Sequence, residues 1–137
     1  MPDVAYDAWY FIPADRTPAE PPEEGRVYSS QPPMMGTMAV DAGSSVAFNI
    51  RAGTGELRIT VTTTGLSAEG RGPDAMQVFM GDAVDGPLKQ EAVAWERSQD
   101  SMNAVFHTNL QRTGSVVKLH VPSPPALVIT KVEFETP

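Results

Sequence analysis

Residues 46–64 read VAFNIRAGTGELRITVTTT, and this stretch decides the fold class. Apolar side chains recur at every second position on both sides of the glycine-containing segment 52–55. A period of two is typical of a β-strand with one face in the core and one in water. Because Gly53 and Gly55 can adopt the backbone conformations that a tight turn needs, the pattern predicts a β-hairpin. The residues expected to be buried are Phe48, Ile50, Leu57, Ile59 and Val61.

The composition of the whole chain also favours strands. Of the 137 residues, 29 are the β-branched Val, Ile and Thr, whereas only 6 are Leu. Stiff β-branched side chains fit a pleated sheet better than a helix. Gly and Pro together number 24, so an element is expected to end about every six residues. The length predicts a single domain.

Shorter alternating runs elsewhere predict about nine strands, which lie at residues 4–12, 34–40, 46–50, 57–63, 76–80, 88–95, 102–107, 116–121 and 126–135. Residues 96–101, ERSQDS, are expected to form a turn. In the last strand the apolar phase slips between Ile129 and Val132, which predicts a bulge or a strand buried on both faces. The links are too short for helical crossovers, so the strands should be antiparallel. The expected fold is an all-β, antiparallel two-sheet β-sandwich, either a jelly roll or, as the alternative, an immunoglobulin-like sandwich.

The segment 13–33 interrupts this pattern with six prolines and three glutamates. Proline fixes φ and has no N–H for a sheet, so the segment is expected to be extended and irregular. We divide the chain into an N-terminal strand and Pro-rich arm at 1–33 and a sandwich at 34–137. The arm is either an ordinary surface loop or a docking arm that contacts a partner. Its acidic docking residues would be Asp15, Glu20, Glu23 and Glu24.

Charge and cysteine content exclude several classes of function. Lys and Arg number 10 and Asp and Glu number 17, which gives a formal net charge of −7. This balance argues against binding to nucleic acid, which needs a basic face, and against docking on an anionic membrane. The chain has no cysteine, so disulfides, thiol catalysis and iron–sulfur clusters are excluded. The first ten residues have no basic and apolar regions of a signal peptide, so synthesis in the cytoplasm without one is expected.

Two segments resemble a known family of β-sandwiches. DAGSSVAFNI at 41–50, followed by GTGELRITVT at 53–62, is similar to paired strands of jelly-roll carbohydrate-binding modules and galactose-binding-like domains. GSVVKLHVPSPPALVITKVEFE at 114–135 resembles their two closing strands. Asp100-Ser101 with Phe106, and GSVVKLHV at 114–121, equally resemble an immunoglobulin-like sandwich. A freestanding jelly roll further resembles accessory proteins of tailed phages, such as head decoration proteins and tail or baseplate adhesins. The resemblance implies the fold, and no sugar or calcium residue of the family has a counterpart here.

The residues with catalytic chemistry do not form a recognisable motif. His107 and His120 are the only histidines, and both are expected to face solvent on neighbouring strands. No serine lies in a nucleophile elbow, and no carboxylate spacing completes a metal site with the histidines. The acidic turn at 82–86 lacks the dense oxygen ligands of a calcium loop. We therefore predict no catalytic residue, no cofactor and no metal.

Aromatic residues are the strongest candidates for binding. Four of them lie in the first predicted strand and one ends another, namely Tyr6, Trp9, Tyr10, Phe11 and Trp95. They form either core and subunit interface, or a platform on which sugar rings stack. In a regular strand, Trp9 and Phe11 would share one face and Tyr6 and Tyr10 the other.

These observations predict a non-catalytic structural or binding module. The form that we expect is a phage virion accessory protein that docks on other structural subunits, as a homo-oligomer or within a lattice. A carbohydrate-binding module, which would recognise glycan through exposed aromatics, is the alternative.

Overall fold

The computed structural model describes residues 4, 6–14, 37–51, 53–83, 86–100 and 102–136. Within this part of the chain there are ten β-strands and one four-residue helix. In chain order they are β1 (Tyr6–Ile12), β2 (Met38–Val40), β3 (Ser45–Ile50), β4 (Glu56–Thr64), α1 (Gly65–Ala68), β5 (Gln77–Gly81), β6 (Leu88–Glu91), β7 (Glu96–Asp100), β8 (Asn103–Gln111), β9 (Val116–His120) and β10 (Leu127–Glu135).

The strands form two five-stranded antiparallel sheets. Sheet 1 has the order β1-β3-β9-β5-β6, and sheet 2 has the order β2-β10-β4-β8-β7. Every pair of neighbouring strands is antiparallel. The all-β, two-sheet sandwich is therefore confirmed.

The chain changes sheet at most of its connections. Only β5 with β6, and β7 with β8, are consecutive strands of the same sheet. In an immunoglobulin-like sandwich the first two strands share a sheet. Here β1 and β2 lie in opposite sheets, so the strand order favours the jelly roll over the immunoglobulin-like alternative.

The predicted hairpin of β3 and β4 is wrong, although the burial predicted for it is confirmed. β3 pairs with β1 and β9, whereas β4 pairs with β10 and β8 in the other sheet. The link between them therefore crosses from one sheet to the other. An alternating pattern specifies which face of a strand is apolar, but it does not specify the neighbouring strand. All five expected residues are buried: Phe48, Ile50, Leu57, Ile59 and Val61.

Two other sequence predictions differ at the edges of the sheets. The predicted turn ERSQDS contains strand β7, which pairs with β8 at an edge of sheet 2. Because an edge strand exposed to solvent needs no apolar residue, its sequence gave no alternating signal. The preceding strand β6 ends at Glu91 instead of continuing to Trp95. The bulge in β10 is confirmed, since its pairing with β4 shifts between Ile129 and Lys131.

The main core lies between the two sheets. Its centre is a trio of aromatic rings, in which Phe48 lies 5.1 Å from Tyr6 and 5.2 Å from Phe134, both edge to face. Such pairs stabilise a core beyond the area that they bury. Phe48 comes from sheet 1 and Phe134 from sheet 2, so the trio joins the sheets.

The outer faces of the two sheets have different environments. On sheet 1 the outward residues Ala47, Phe79 and Val116 form a second buried apolar cluster with Ile12 and Leu88. On sheet 2 the outward residues of β4, which include arginine and threonines, are only half-buried. Strands β3 and β9 are therefore buried on both faces, whereas β4 has one buried and one solvated face.

The sequence-based division at residue 33 falls among residues outside the described set. Strand β1, which we grouped with the arm, pairs with β3 as an edge of sheet 1. The acidic docking residues Asp15, Glu20, Glu23 and Glu24 also lie outside the described residues. Among the residues that are described, no helix has the length and apolar character to cross a bilayer.

Candidate functional site

At one end of the sandwich, several of the described connections between strands meet. Strand β4 ends there and β10 begins there, because the register places Ile129 opposite Thr63. The segments 65–76, 92–95 and 121–126 meet at this end, together with Met102 at the start of β8. We call this assembly the loop end.

Two large hydrophobic side chains project from the loop end into solvent. Leu66 is 86% exposed and Met102 is 80% exposed, and no other large hydrophobic in the described part of the chain is classed as exposed. We call the pair the apolar knob. Isolated apolar residues are common on protein surfaces, and these two lie in segments whose backbones meet at the loop end, so they are a candidate contact site.

The backbone fixes the two members of the apolar knob relative to each other. The Gly65 N–H donates a hydrogen bond of 2.7 Å to the Met102 carbonyl. A Cβ at position 65 would lie 2.7 Å from that same oxygen, so only glycine allows this approach. Ala68, at the end of α1, is buried and anchors the helical turn in the core. Because Ala68 packs into the core at the end of this helical turn, Leu66 near its start is exposed to solvent.

Arg71 ties the segments of the loop end together. Its guanidinium donates to the carbonyls of Ser123 at 2.7 Å, Ala75 at 3.4 Å and Pro125. A planar guanidinium with five donors suits this arrangement, because it can bond several carbonyls in one plane. Its charge is therefore directed at backbone dipoles, and among the described residues it forms no ion pair with a carboxylate.

A groove opens beside this arginine. Its larger part has a volume of about 490 Å³ and lies where the end of β6 faces the segments that precede β5 and follow β9. A smaller recess of about 220 Å³ continues from it and shares Asp74 and Ser123 with it. We call both parts the acidic groove, because Glu69, Asp74 and Glu91 line it.

Several polar side chains of the acidic groove have no partner in the part of the chain that the structure describes. Asp74, Gln77, Gln90 and Glu91 make no side-chain hydrogen bond or ion pair within the described residues. The Oε2 atom of Glu91 is buried and has no hydrogen-bond partner there. A buried oxygen without a donor costs about 1 to 3 kcal/mol, and more when it is charged.

The two tryptophans of the predicted aromatic set lie in the core. Trp9 is 8% exposed and Trp95 is 2% exposed. Trp95 also donates from its indole Nε1 to the Met76 carbonyl at 2.9 Å. In this conformation neither indole offers a face to a sugar ring. Whether the aromatic set contacts a partner subunit stays a prediction.

The other three aromatics of the set lie on β1, the strand that also contains Trp9. Tyr6 and Phe11 are half-buried and pack against the main core with Trp9. The prediction that Tyr6 and Tyr10 share a face is wrong, because the pairing of β1 shifts between Tyr6 and Ala8. Tyr10 lies on the outer face of sheet 1, where its hydroxyl accepts a 2.9 Å hydrogen bond from the Asn49 amide.

The two histidines lie in different sheets, so the expectation that they neighbour each other is wrong. His107 is half-buried on sheet 2, and its Nε2 lies 2.9 Å from Glu96 Oε2. His120 is 4% exposed on sheet 1, and its Nδ1 lies 2.9 Å from the Ser45 hydroxyl. The serine is fully buried as well, so a substrate could not reach this pair. No group of three or more metal-ligating side chains occurs within the described ranges.

Sequence reasoning missed the loop end. The alternation of Met102 with Ala104 and Phe106 predicts that all three lie on the buried face of a strand. In the structure β8 begins at Asn103, so Met102 precedes the strand. Leu66 lies in a segment whose sequence is typical of a loop. Its neighbour Gly65 is the one feature of the sequence that marks this position as unusual. The groove residues come from three distant segments, and no local pattern can bring these together. Comparisons of the chain with known protein families, with curated proteins and with solved structures found no match.

Proposed function

We propose that this protein is a non-catalytic binding module that docks on other protein subunits through the loop end. In its specific form, the proposal is an accessory protein of a phage virion, either a capsid decoration or a tail or baseplate component. The apolar knob is the observation that carries it. The specific form rests on the family resemblance of the sequence and on the acidic, cysteine-free chain.

The energetics of the apolar knob favour a covered state. Burial of a leucine or methionine side chain contributes roughly 1.5 to 3 kcal/mol, so covering both would contribute about 3 to 6 kcal/mol. Part of this gain is offset by the loss of translational and rotational freedom on association. Two apolar anchors with a polar surround match the anatomy of protein interfaces, where a few residues supply most of the affinity.

The charge of the surface favours a protein partner over a lipid surface. Glu69 follows the apolar knob in the chain and is exposed. The whole chain carries a net charge of −7. An anionic leaflet would repel such a surface, whereas a protein socket with lysines or arginines at its rim would attract it.

The test is co-sedimentation of the purified protein with phage particles produced by the host whose DNA carries the gene for this protein. The double variant Leu66→Ser/Met102→Ser should bind at least about tenfold more weakly, since it loses both apolar anchors. Val105→Ser is the matched control, because Val105 is a half-buried, outward residue of sheet 2, three positions after Met102 and outside the apolar knob. Equal binding by the wild type and the double variant would contradict the proposal.

A second candidate function, glycan binding, is favoured by the acidic groove. Two carboxamides and two carboxylates with no partner among the described residues form the kind of donor and acceptor set that sugar hydroxyls require. Of the five aromatics expected to form a sugar platform, the two tryptophans are buried. A glycan array separates the candidates: retention of a defined oligosaccharide, lost in Gln77→Ala/Gln90→Ala, would favour this second function.

A further inference from the structure

We propose that the outer face of sheet 1 binds residues 15–36 of the same chain, and that a carboxylate of this segment neutralises Lys118. The segment lies outside the described residues, and the burial and charge of the face that receives it carry the proposal. This contact lies within one molecule and goes beyond the proposed docking on other subunits. It also gives the four acidic residues of the expected docking arm a role in the fold.

The outer face of sheet 1 is buried although no described strand or helix covers it. Sheet 2 lies against the opposite face of sheet 1, and α1 packs against β4, β8 and β10 of sheet 2. An uncovered sheet face is only half-buried, as the outward residues of β4 show. On sheet 1 the outward apolar residues are at most 3% exposed, namely Ile12, Ala47, Phe79 and Val116. This face therefore needs a covering layer that sheet 2 and α1 do not supply.

Lys118 specifies the chemistry of the covering layer. It is fully buried on β9, the central strand of sheet 1, and its cross-strand neighbours are Ala47 and Phe79. Lysine is almost never fully buried unless its ammonium is paired, because an uncompensated charge in an apolar site is very costly. The layer that lies on these residues must therefore combine apolar side chains with a carboxylate.

The segment 15–36 begins at the right place and is long enough to form this layer. Ala14 lies beside Gly43, since a Cβ at position 43 would be 3.4 Å from the Cβ of Ala14. The Gly43 N–H donates to the carbonyl of Val121, so the segment starts at the end of the strand that carries Lys118. Its 22 residues can extend to about 75 Å, whereas a path across five strands and back is about 40 Å.

The two ends of the segment lie close together. Thr37, which follows it, is six positions before Gly43, and six residues span at most about 22 Å. The segment is much longer than this gap requires, so most of its length is available to lie on the sheet.

The composition of the segment matches both requirements of the layer. It has four carboxylates and two arginines, so two carboxylates remain after its own cations are paired. Its apolar side chains include Val27, Tyr28, Met34 and Met35, and it has five prolines. A chain that lies flat on a sheet cannot pair its N–H groups with the strands below, and each buried N–H without a partner costs free energy. Proline has no N–H, so a proline-rich segment avoids much of this cost.

The first experiment places a nitroxide on the segment in the full chain through Gly25→Cys, since the chain has no cysteine of its own. The amide signals of Phe79 and Lys118 on sheet 1 should broaden, and those of Thr62 and Val105 on the outer face of sheet 2 should not. Packed sheets lie about 10 Å apart, and paramagnetic broadening falls steeply with distance. Equal broadening on both sheets, or none on sheet 1, would overturn the proposal.

The same label distinguishes the chain's own segment from that of a second copy. For this purpose ¹⁵N-labelled chain without the nitroxide is mixed with ¹⁴N chain that carries it. The signals of Phe79 and Lys118 should stay sharp in the mixture, because the contact is intramolecular. Broadening in the mixture would assign the face to a second copy, and would also overturn the proposal.

The second experiment tests the pairing of Lys118 by denaturant unfolding. The segment set replaces the four carboxylates by amides, as Asp15→Asn, Glu20→Gln, Glu23→Gln and Glu24→Gln. It should lower the equilibrium constant of folding at least about tenfold, because a buried ammonium loses its counter-charge. In the Lys118→Met background the same set should have less than about a threefold effect, as a double-mutant cycle requires for groups in contact.

The matched control removes four carboxylates from exposed positions, as Glu56→Gln, Glu69→Gln, Asp74→Asn and Asp82→Asn. It changes the net charge equally, but it should alter the equilibrium constant less than about threefold, as expected of surface substitutions. Equal effects of the two sets, or a segment-set effect that persists in Lys118→Met, would overturn the pairing. If the segment set prevents folding, Lys118→Met should restore it, and failure to do so would count against the pairing as well.

Discussion

Ile59 and Leu66 are two aliphatic residues seven positions apart, and their exposure to solvent is opposite. Ile59 is fully buried in the middle of β4, whereas Leu66 projects from the helical turn that follows this strand. Burial of Ile59 contributes to the stability of the sandwich. Leu66 contributes little to it and is available for contact with another molecule.

This difference in burial distinguishes the residues that stabilise the fold from those that are available for binding. The core joins the sheets through aromatic contacts such as that of Phe48 with Phe134. The loop end is held by polar contacts, of Gly65 with Met102 and of Arg71 with three carbonyls. Core substitutions should therefore change the free energy of unfolding, and substitutions in the apolar knob should change binding alone.

The largest expected effect is that of Ile59→Asp. The change places an unpaired carboxylate in the core, which costs several kcal/mol and exceeds the stability of many domains of this size. The protein should fail to fold, as judged by circular dichroism and by the loss of dispersed amide signals. Thr62→Asp is the control, because Thr62 lies on the solvated face of the same strand and opposite Lys131. Cooperative folding of Ile59→Asp would refute the register of β4.

A smaller loss is expected for Trp95→Phe. The change removes the indole N–H that donates to Met76, and leaves a buried carbonyl without its donor. Denaturant unfolding should show a loss of about 2 kcal/mol, from the unsatisfied carbonyl and the smaller ring. An unchanged unfolding midpoint would show that the hydrogen bond of Trp95 does not stabilise the fold.

Arg71→Lys should have a still smaller and more local effect. Lysine keeps the charge but cannot bond three carbonyls in one plane. Because the site is partly solvated, the expected loss of stability is about 1 kcal/mol or less. Amide hydrogen exchange should become faster in residues 68–76 and 122–126 while the strands keep their protection. Faster exchange throughout the sandwich would mean that Arg71 supports the core as well as the loop end.

The strands were predictable from the sequence wherever one face is buried and the other solvated. In β4 the alternation of Leu57, Ile59 and Val61 with polar residues gave both the strand and its buried face. The outer face of sheet 1 was less predictable, since Lys118 and His120 lie on the expected side but are buried. Strand pairing was mispredicted for β3 and β4, because it depends on contacts between residues far apart in sequence.

The candidate site was largely not predictable. The aromatic set was expected to form core or subunit interface, or else a sugar platform, and its two tryptophans lie in the core, because a large ring gains more from burial than from exposure. Leu66 and Met102 lie 36 positions apart in the sequence, and only the pairing of β4 with β8 brings their backbones together. A leucine in a turn-rich segment does not by itself predict a contact site. Its exposure becomes evident only when the position of the preceding strand is known.

The most direct test of the account compares stability and docking in one variant, Leu66→Ser/Met102→Ser. Its free energy of unfolding should stay within about 0.5 kcal/mol of the wild type, as expected of exposed positions. Its co-sedimentation with phage particles should fall at least about tenfold, since both apolar anchors are lost. Unchanged docking by a folded double variant would contradict the central claim that the loop end is the docking surface.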